Sequence, residues 1–541
     1  MKRVLMVAVS IATAAGLLTV GPAIGTAAAH PSAPASRAAV PDTVETALPW
    51  GACPTKQYPD LEGTTVQCAP LKVPLNYAHP TGPKITLELS LTKHTSSDAN
   101  YKGAMLSNPG GPGGAGLDLG FFLQPAVPHH VGDDYDWVSW DPRGVGASKP
   151  ALHCQNNYFN PPRKNYTPTT STILKYWEKR SKKYAASCEK KQPALLNNIT
   201  TKDSALDMDA IRAAIGVSQI SYYGFSYGTY LGQVYSTLFP THLKYMVLDS
   251  NIDPRHVWYK ANLSQDVAFN RNLHIYLKWV AKYHSVYHLG KTQKQVSAKY
   301  YATLHALAKH PKGKVGPSEW TDAFSGAAYY RFGWEDLASA WVKFTKGHYA
   351  PMLAQYDSAE GPGDDNEFAV YNAVECSDLK YPGLHKVLKD SKKYAKKYPF
   401  LTWDNTWFNG PCEYWKSKTH HVVKINGKKT TSALLIDETK DAATPYEGSL
   451  EVRKLYPHSS LIGEPGGATH ADSLFGDACV DNKVAAYLKS GTLPKRVSGN
   501  RADTKCKPLP DPNPKASSSS AATPNTVRPA QAARLPFVLL R

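Results

Sequence analysis

The stretch Ile220-Ser221-Tyr222-Tyr223-Gly224-Phe225-Ser226-Tyr227-Gly228 decides the fold. A short apolar run, Ile220 to Tyr223, gives way to a serine bracketed by two glycines. An apolar helical pattern follows from Tyr227 to about Phe239, where Pro240 ends it. Small residues on both flanks let a strand turn sharply into a helix and hold the Ser226 side chain out on a strained turn. The helix directs its positive end at the same point, which favours negative charge developing there. A five-residue pattern of this kind arises by chance; its place between strand and helix gives it weight.

Working outward, the same order recurs. Ala104-Met105-Leu106 stops at Asn108-Pro109-Gly110-Gly111, Tyr135 to Trp140 at Asp141-Pro142-Arg143-Gly144, and Tyr245 to Leu248 at Asp249. These read as buried parallel strands with loops at their carboxyl ends. Upstream, Val66 to Thr92 alternates as a hairpin does. A helix is predicted between Ser204 and Ile215, with Gly216 as its stop. Sheet-like runs resume only at Ala433 to Ile436 and Ser460 to Ile462. Strand, helix, strand at this spacing predicts right-handed crossovers and a doubly wound, mostly parallel α/β sheet.

From Asn251 to about Lys429 the chain turns helical and aromatic, as in Leu263 to Tyr283 and Gln293 to His310. Tryptophans 258, 279, 320, 334, 341, 403, 407 and 415, eight of the twelve, all fall there. An insertion of this size between two strands, at the edge that carries Ser226, predicts a cap over the site. The alternative is a separate helical domain. The body is thus expected in two parts, 41–250 and 430–510, with the helical cap at 251–429.

The ends stand apart. Lys2 and Arg3, an apolar run and the small residues Thr26-Ala27-Ala28-Ala29 have the order of a secretory signal, expected over 1–29. An Ala/Ser/Pro-rich stretch to residue 40 reads as a possible pro-segment. Residues 511–541, with Ser517-Ser518-Ser519-Ser520, are too polar to bury a core and are expected to be a disordered tail. The export signal predicts a secreted, extracellular protein with no membrane attachment once it is removed.

Eight cysteines, an even number, suggest disulfides in an exported chain. Spacing leaves 105 pairings open. The simplest set joins sequence neighbours: Cys53–Cys68, Cys154–Cys188, Cys376–Cys412 and Cys479–Cys506. No CxxC pair occurs, so a zinc site is poorly supported; no metal and no cofactor is expected. The net charge of +18 is scattered, often beside tyrosine as in Lys182-Lys183-Tyr184, with no basic helix. It reads as solvated surface rather than a nucleic-acid footprint.

A serine needs a base to take its proton and a third group to orient that base. An oxyanion needs backbone N–H donors. Asn108-Pro109-Gly110-Gly111-Pro112-Gly113-Gly114 brings main chain close to a substrate, so the donors are expected from Tyr227 and from Gly110 or Gly111. The acid should precede the histidine after the serine. Asp441 is the candidate, with Asp437 as its rival, and His470 on the loop after the last strand is the candidate base. Arg143 is expected to support the scaffold by pairing with a carboxylate under the oxyanion loop. Together these predict an α/β-hydrolase fold with a large helical cap.

The segments Asn108–Gly114, Asp141–Gly146, Gly224–Tyr230, Asp441–Gly448 and His470 resemble the secreted bacterial tripeptidyl aminopeptidases, relatives of the prolyl aminopeptidases. The likeness runs from about Trp50 to Cys506 and includes Trp258–Leu263 and Ala373–Cys376. It implies Ser226, Asp441 and His470 as a triad, and release of short peptides from a free N-terminus. An exopeptidase must hold the substrate α-ammonium at a fixed distance from the serine, and carboxylates are the means. Glu375 is the first candidate and Asp378 the second. The expected partners are peptide or protein N-termini, met by a monomer. A prolyl aminopeptidase or a cap-covered esterase is the alternative within enzymes. A silent hydrolase fold acting as a binding protein is the alternative outside them.

Overall fold

Residues 48–516 are described by a computed structural model. The expected signal, the possible pro-segment and the tail beyond residue 516 lie outside the described residues. Nine strands form one sheet: β1 Gln67–Pro74, β2 Lys84–Thr92, β3 Gly103–Asn108, β4 Tyr135–Asp141, β5 Ile220–Phe225, β6 Leu243–Asp249, β7 Ala433–Glu438, β8 Ser459–Glu464 and β9 Thr504–Lys505. Their order is β1-β2-β4-β3-β5-β6-β7-β8-β9.

The β1–β2 hairpin and the β2–β4 pair are antiparallel, and every later pair is parallel. The sequence dictates this division. β5, β7 and β8 are buried at every position, as helix-covered parallel strands must be, whereas β1 and β2 show exposed positions among buried ones. The chain goes from β3 to β4 on one side and then to β5 on the other. That reversal opens a crevice beyond the carboxyl ends of β3 and β5, where doubly wound sheets bind ligands. The Asn108–Gly114 loop and Ser226 both stand there.

Helix Tyr227–Leu238 follows β5 as expected. The helix expected from Ser204 begins earlier, at Thr201. Thr200 caps it: its hydroxyl accepts Asp203 N–H at 3.1 Å, while the Asp203 carboxylate accepts Thr200 N–H at 3.1 Å. The sequence pattern marked the apolar stripe and not this polar start.

β6 and β7 are neighbours, with Val247 opposite Leu434. The chain between them is almost wholly helical, including Tyr259–Lys282, Gln293–Lys309, Pro317–Tyr329 and Asn366–Asp378. Phe269, Tyr276, Trp279, Trp320, Trp334 and Trp341 bury one another in a core of their own. Ala442 and Ala443, from the loop after β7, pack into this core.

All four disulfides join the sequence neighbours named above. The two-residue β9, too short to show a period, escaped the sequence pattern; Cys479–Cys506 and the Arg453–Asp503 ion pair at 2.6 Å hold it. The tail expected to be disordered from residue 511 begins docked. Trp279 Nε1 donates to the Pro512 carbonyl at 2.9 Å, and Arg331 pairs with Asp511 at 3.1 Å.

Candidate active site

Ser226 joins β5 to its helix with φ 54° and ψ −123°, a conformation a residue with a Cβ adopts only under constraint. The constraint is visible. Its N–H donates to the Asp249 carbonyl at 3.0 Å, and its carbonyl accepts the Thr229 hydroxyl at 2.6 Å. A Cβ on Gly224 would come 2.6 Å from the Gly228 carbonyl oxygen, and one on Gly228 would come 2.7 Å from that of Asn108. The two glycines are therefore required by backbone-to-backbone contact. Tyr227 opens the helix, so its N–H has no acceptor within the helix.

Asn108 pairs with Gly224 across β3 and β5, which sets the glycine loop beside the serine. Gly110 lies so close that a Cβ there would meet both the Phe225 carbonyl and the Ser226 Cβ at 2.9 Å. Its N–H donates to Asn108 Oδ1 at 3.1 Å. Of the two donors expected from this loop, Gly110 is thus engaged within the loop, and Gly111 is the one on the cavity wall with Ser226.

Asp141 anchors the far end of the loop, accepting N–H groups from Gly116 at 3.0 Å, Leu117 at 3.3 Å and Ala147 at 2.7 Å. The expectation for Arg143 needs correction. Its partner is Asp207, at 2.6 and 2.7 Å, on helix Thr201–Ala214 rather than under the oxyanion loop. Both groups are buried, and the guanidinium also donates to the Leu75 carbonyl at 3.1 Å. Arg143 therefore ties helix to hairpin.

Asp441 and His470 stand beyond β7 and β8. His470 Nδ1 lies 2.7 Å from Asp441 Oδ2, with both side chains buried. Asp441 also accepts the N–H groups of Ala443 at 2.8 Å and Thr444 at 3.0 Å, and the Thr444 hydroxyl at 2.8 Å. Burial pushes its carboxyl up, but the charge and hydrogen bond of His470 and the donors of Thr444 outweigh this and hold it below the usual range. The rival Asp437 instead accepts the Ser449 hydroxyl at 2.5 Å. With Nδ1 on the carboxylate, Nε2 is the nitrogen left to exchange a proton.

The His470 loop is pinned from several sides. His470 N–H donates to the Tyr329 carbonyl at 2.9 Å, and Ala471 N–H to Ser250 Oγ at 2.7 Å. Arg271 donates to the Asp441 carbonyl at 2.9 Å, and Asn272 to the Lys440 carbonyl at 2.9 Å. Asp249, pushed up to about 6 by burial against the pull of its Ser473 hydrogen bonds, fixes Ser473 at 2.5 and 2.9 Å.

A cavity of about 310 Å³ opens at Ser226. Gly111, Thr444 and Pro445 form its wall from the body, and Trp258, Asn262, Tyr329, Tyr371 and Glu375 form the wall from the inserted helices. Glu375 is 2% exposed and accepts from the Tyr381 hydroxyl at 2.8 Å and from Asn262 at 3.3 Å. Burial, stronger than these hydrogen bonds, pushes it up to about 7.

Asp378 does not join Glu375 on that wall. Three donors fill its carboxylate: Thr201 N–H at 2.9 Å, the Thr201 hydroxyl at 2.6 Å and Trp258 Nε1 at 3.2 Å. Thr201 is the first residue of its helix, so Asp378 satisfies a helix start that would otherwise lack acceptors. Asn262, Tyr381, Tyr329 and Thr444 were not anticipated. Asn262 lies inside the quoted Trp258–Leu263 segment and Thr444 inside Asp441–Gly448, which were their signals; Tyr329 and Tyr381, lone tyrosines, carry none.

Residues 398–506 match the family described as TAP-like protein. The tripeptidyl aminopeptidase of Streptomyces lividans is 36% identical over 465 residues, which cover 83% of this chain and 85% of that protein. Serine protease Hip1 of Mycobacterium tuberculosis is 27% identical over 460 residues, covering 79% of this chain and 86% of its own length. Carboxylesterase B of the same species is 29% identical over 473 residues, covering 82% and 88%. With the elbow, the glycine loop and the parallel sheet in place, the chain belongs to the tripeptidyl aminopeptidase family of serine hydrolases with the α/β-hydrolase fold.

Proposed function

We propose that this enzyme is a secreted serine exopeptidase that releases short peptides, tripeptides foremost, from free N-termini. The observation that carries the reading is one cavity with Ser226 on the body wall and the buried carboxylate of Glu375 on the helical wall. A carboxylate there binds an α-ammonium, and an extended peptide reaches from it to the serine.

Ser226 Oγ attacks the scissile carbonyl carbon while His470 takes its proton, and Asp441 stabilises the imidazolium. The N–H groups of Tyr227 and Gly111 receive the oxyanion. His470 then protonates the departing amine, leaving an acyl-enzyme that water hydrolyses by the same relay in reverse. Secretion is supported by the signal-like residues 1–29 and by four disulfides, which suit an oxidising compartment. No helix among the described residues is long and apolar enough to cross a membrane.

The test compares rates on mono-, di-, tri- and tetrapeptide chromogenic substrates, each with a free and a blocked N-terminus. A tripeptide preference that disappears on blocking is the expected result. Equal rates on blocked substrates and simple esters overturn the exopeptidase reading in favour of an esterase. Ser226→Ala should remove both turnover and fluorophosphonate labelling.

A further inference from the structure

Three carboxylates meet beside the His470 loop. Glu438 ends β7, Glu464 ends β8 directly opposite it, and Asp472 follows His470 by two residues. One oxygen of each lies within 4.8 Å of the others. All three are buried, with exposures of 2%, 0% and 4%. Like charges at this distance, out of water, are costly to hold together unless something positive lies among them.

The donors around them do not supply it. Glu438 accepts the Thr469 N–H. Among the described residues no N–H or hydroxyl reaches either oxygen of Glu464, nor Oδ2 of Asp472; the groups that meet them are other carboxyls, Asp477 at Glu464 and Glu438 at Asp472. Asp477, outside the trio, is 7% exposed and faces Glu464. Its Oδ1 caps helix Ala478–Ser490 through Cys479 N–H at 2.8 Å, but among the described residues no N–H or hydroxyl reaches its Oδ2. Arg331 acts on Glu438 across space, yet its hydrogen bonds go to the Leu509 and Gly466 carbonyls and its ion pair to Asp511.

We propose that Glu438, Glu464 and Asp472, with Asp477 alongside, form a binding site for a hard divalent cation, calcium foremost. The donor set is all oxygen, without nitrogen or sulfur, which selects calcium or magnesium over zinc or copper. Calcium–oxygen distances of about 2.3–2.6 Å place opposite ligands about 5 Å apart, whereas magnesium at about 2.1 Å draws them closer. A site of carboxylates drawn from two strand ends and a loop suits the ion that tolerates irregular oxygen coordination, which is calcium. These acids are scattered from 438 to 477, so no sequence motif announces them. Pro465 and Gly466, directly after Glu464, are exposed.

The site has a positioning role. A cation here joins the end of β7, three residues before Asp441, to the end of β8 and to the loop that carries His470. The inference does not depend on the substrate.

The test uses the mature protein stripped of metal with a chelator, then titrated with CaCl2 in a calorimeter and followed by thermal unfolding, with MgCl2 in parallel. One calcium per chain, a rise in Tm on adding calcium, and a weaker magnesium response are expected. Glu464→Gln and Asp472→Asn should each weaken calcium binding at least tenfold. Two variants are used so that one failing to fold leaves the other decisive. A stripped protein that takes up no calcium and gains no Tm overturns the site and assigns the cluster to shared protons. Calcium binding undiminished in the folded variants also overturns it, because the ion then sits elsewhere.

Discussion

Asn108 Oδ1 accepts the N–H of Gly110 at 3.1 Å, and this bond sets the glycine loop against the Ser226 turn. Asn108→Ala removes the acceptor and frees the loop. The expected loss is about 10–100-fold in kcat with KM little changed, somewhat less than the loss of an oxyanion donor itself. Steady-state kinetics beside the rate of fluorophosphonate labelling checks it; an unchanged kcat would mean that the loop is set by its glycines alone.

The Asp441–His470 contact and the Asp437–Ser449 contact separate two acids that sequence could not rank decisively. Asp441→Asn should cut kcat by about 10⁴-fold, the cost of turning a histidine to the wrong tautomer. Asp437→Asn should stay within about tenfold of the parent, since its lost hydrogen bond is worth about 1–3 kcal/mol of stability rather than transition-state charge. Equal losses in the two variants would contradict the assignment.

Glu375 carries a pH signature. With its carboxyl pushed up to about 7, it is neutral below that pH and cannot pair with an ammonium. The substrate α-amino group loses its proton at about 7.7–8.0. Plots of kcat/KM for a free-amine tripeptide should therefore rise through pH 7 and fall above 8. Glu375→Gln should lower kcat/KM at pH 7.5 by about 10–100-fold, as for removing one side of a buried charge pair, and flatten the acid limb. Blocked substrates should show neither effect.

The Cys376–Cys412 bond closes a sequence separation of 36 residues next to Glu375. Replacing both cysteines with serine should destabilise the protein by about 3–4 kcal/mol, read as a lower Tm. Because Cys376 is on the same helix as Glu375, KM for free-amine substrates should rise more than kcat falls. A loss confined to kcat would place the strain at the serine instead.

Much of the body is legible because its signals are local. Short apolar runs gave strands β3 to β8, the glycine-bracketed turn singled out Ser226, and chain order pointed to Asp441 and His470 as the candidates that follow it. The hairpin and the helix after Ser226 were legible for the same reason. What escaped depends on where distant segments meet. Asp378 has the charge for ammonium binding, but its lone pairs are taken by Thr201 and Trp258 from two other elements. Arg143 chose Asp207 rather than an acid below the loop, a matter of helix position that no spacing reports. Gly110 and Gly111 are neighbours of one kind, and only the direction of one N–H tells them apart.

The inserted helices do more than wall the cavity. The Tyr329 carbonyl receives the His470 N–H, and Arg271 and Asn272 hold the backbone around Asp441. Replacing the insertion with that of a relative would alter turnover together with selectivity, even with every residue of the sheet retained. A redesigned lining can therefore change selectivity without loosening the catalytic backbone only if it keeps those three hydrogen bonds.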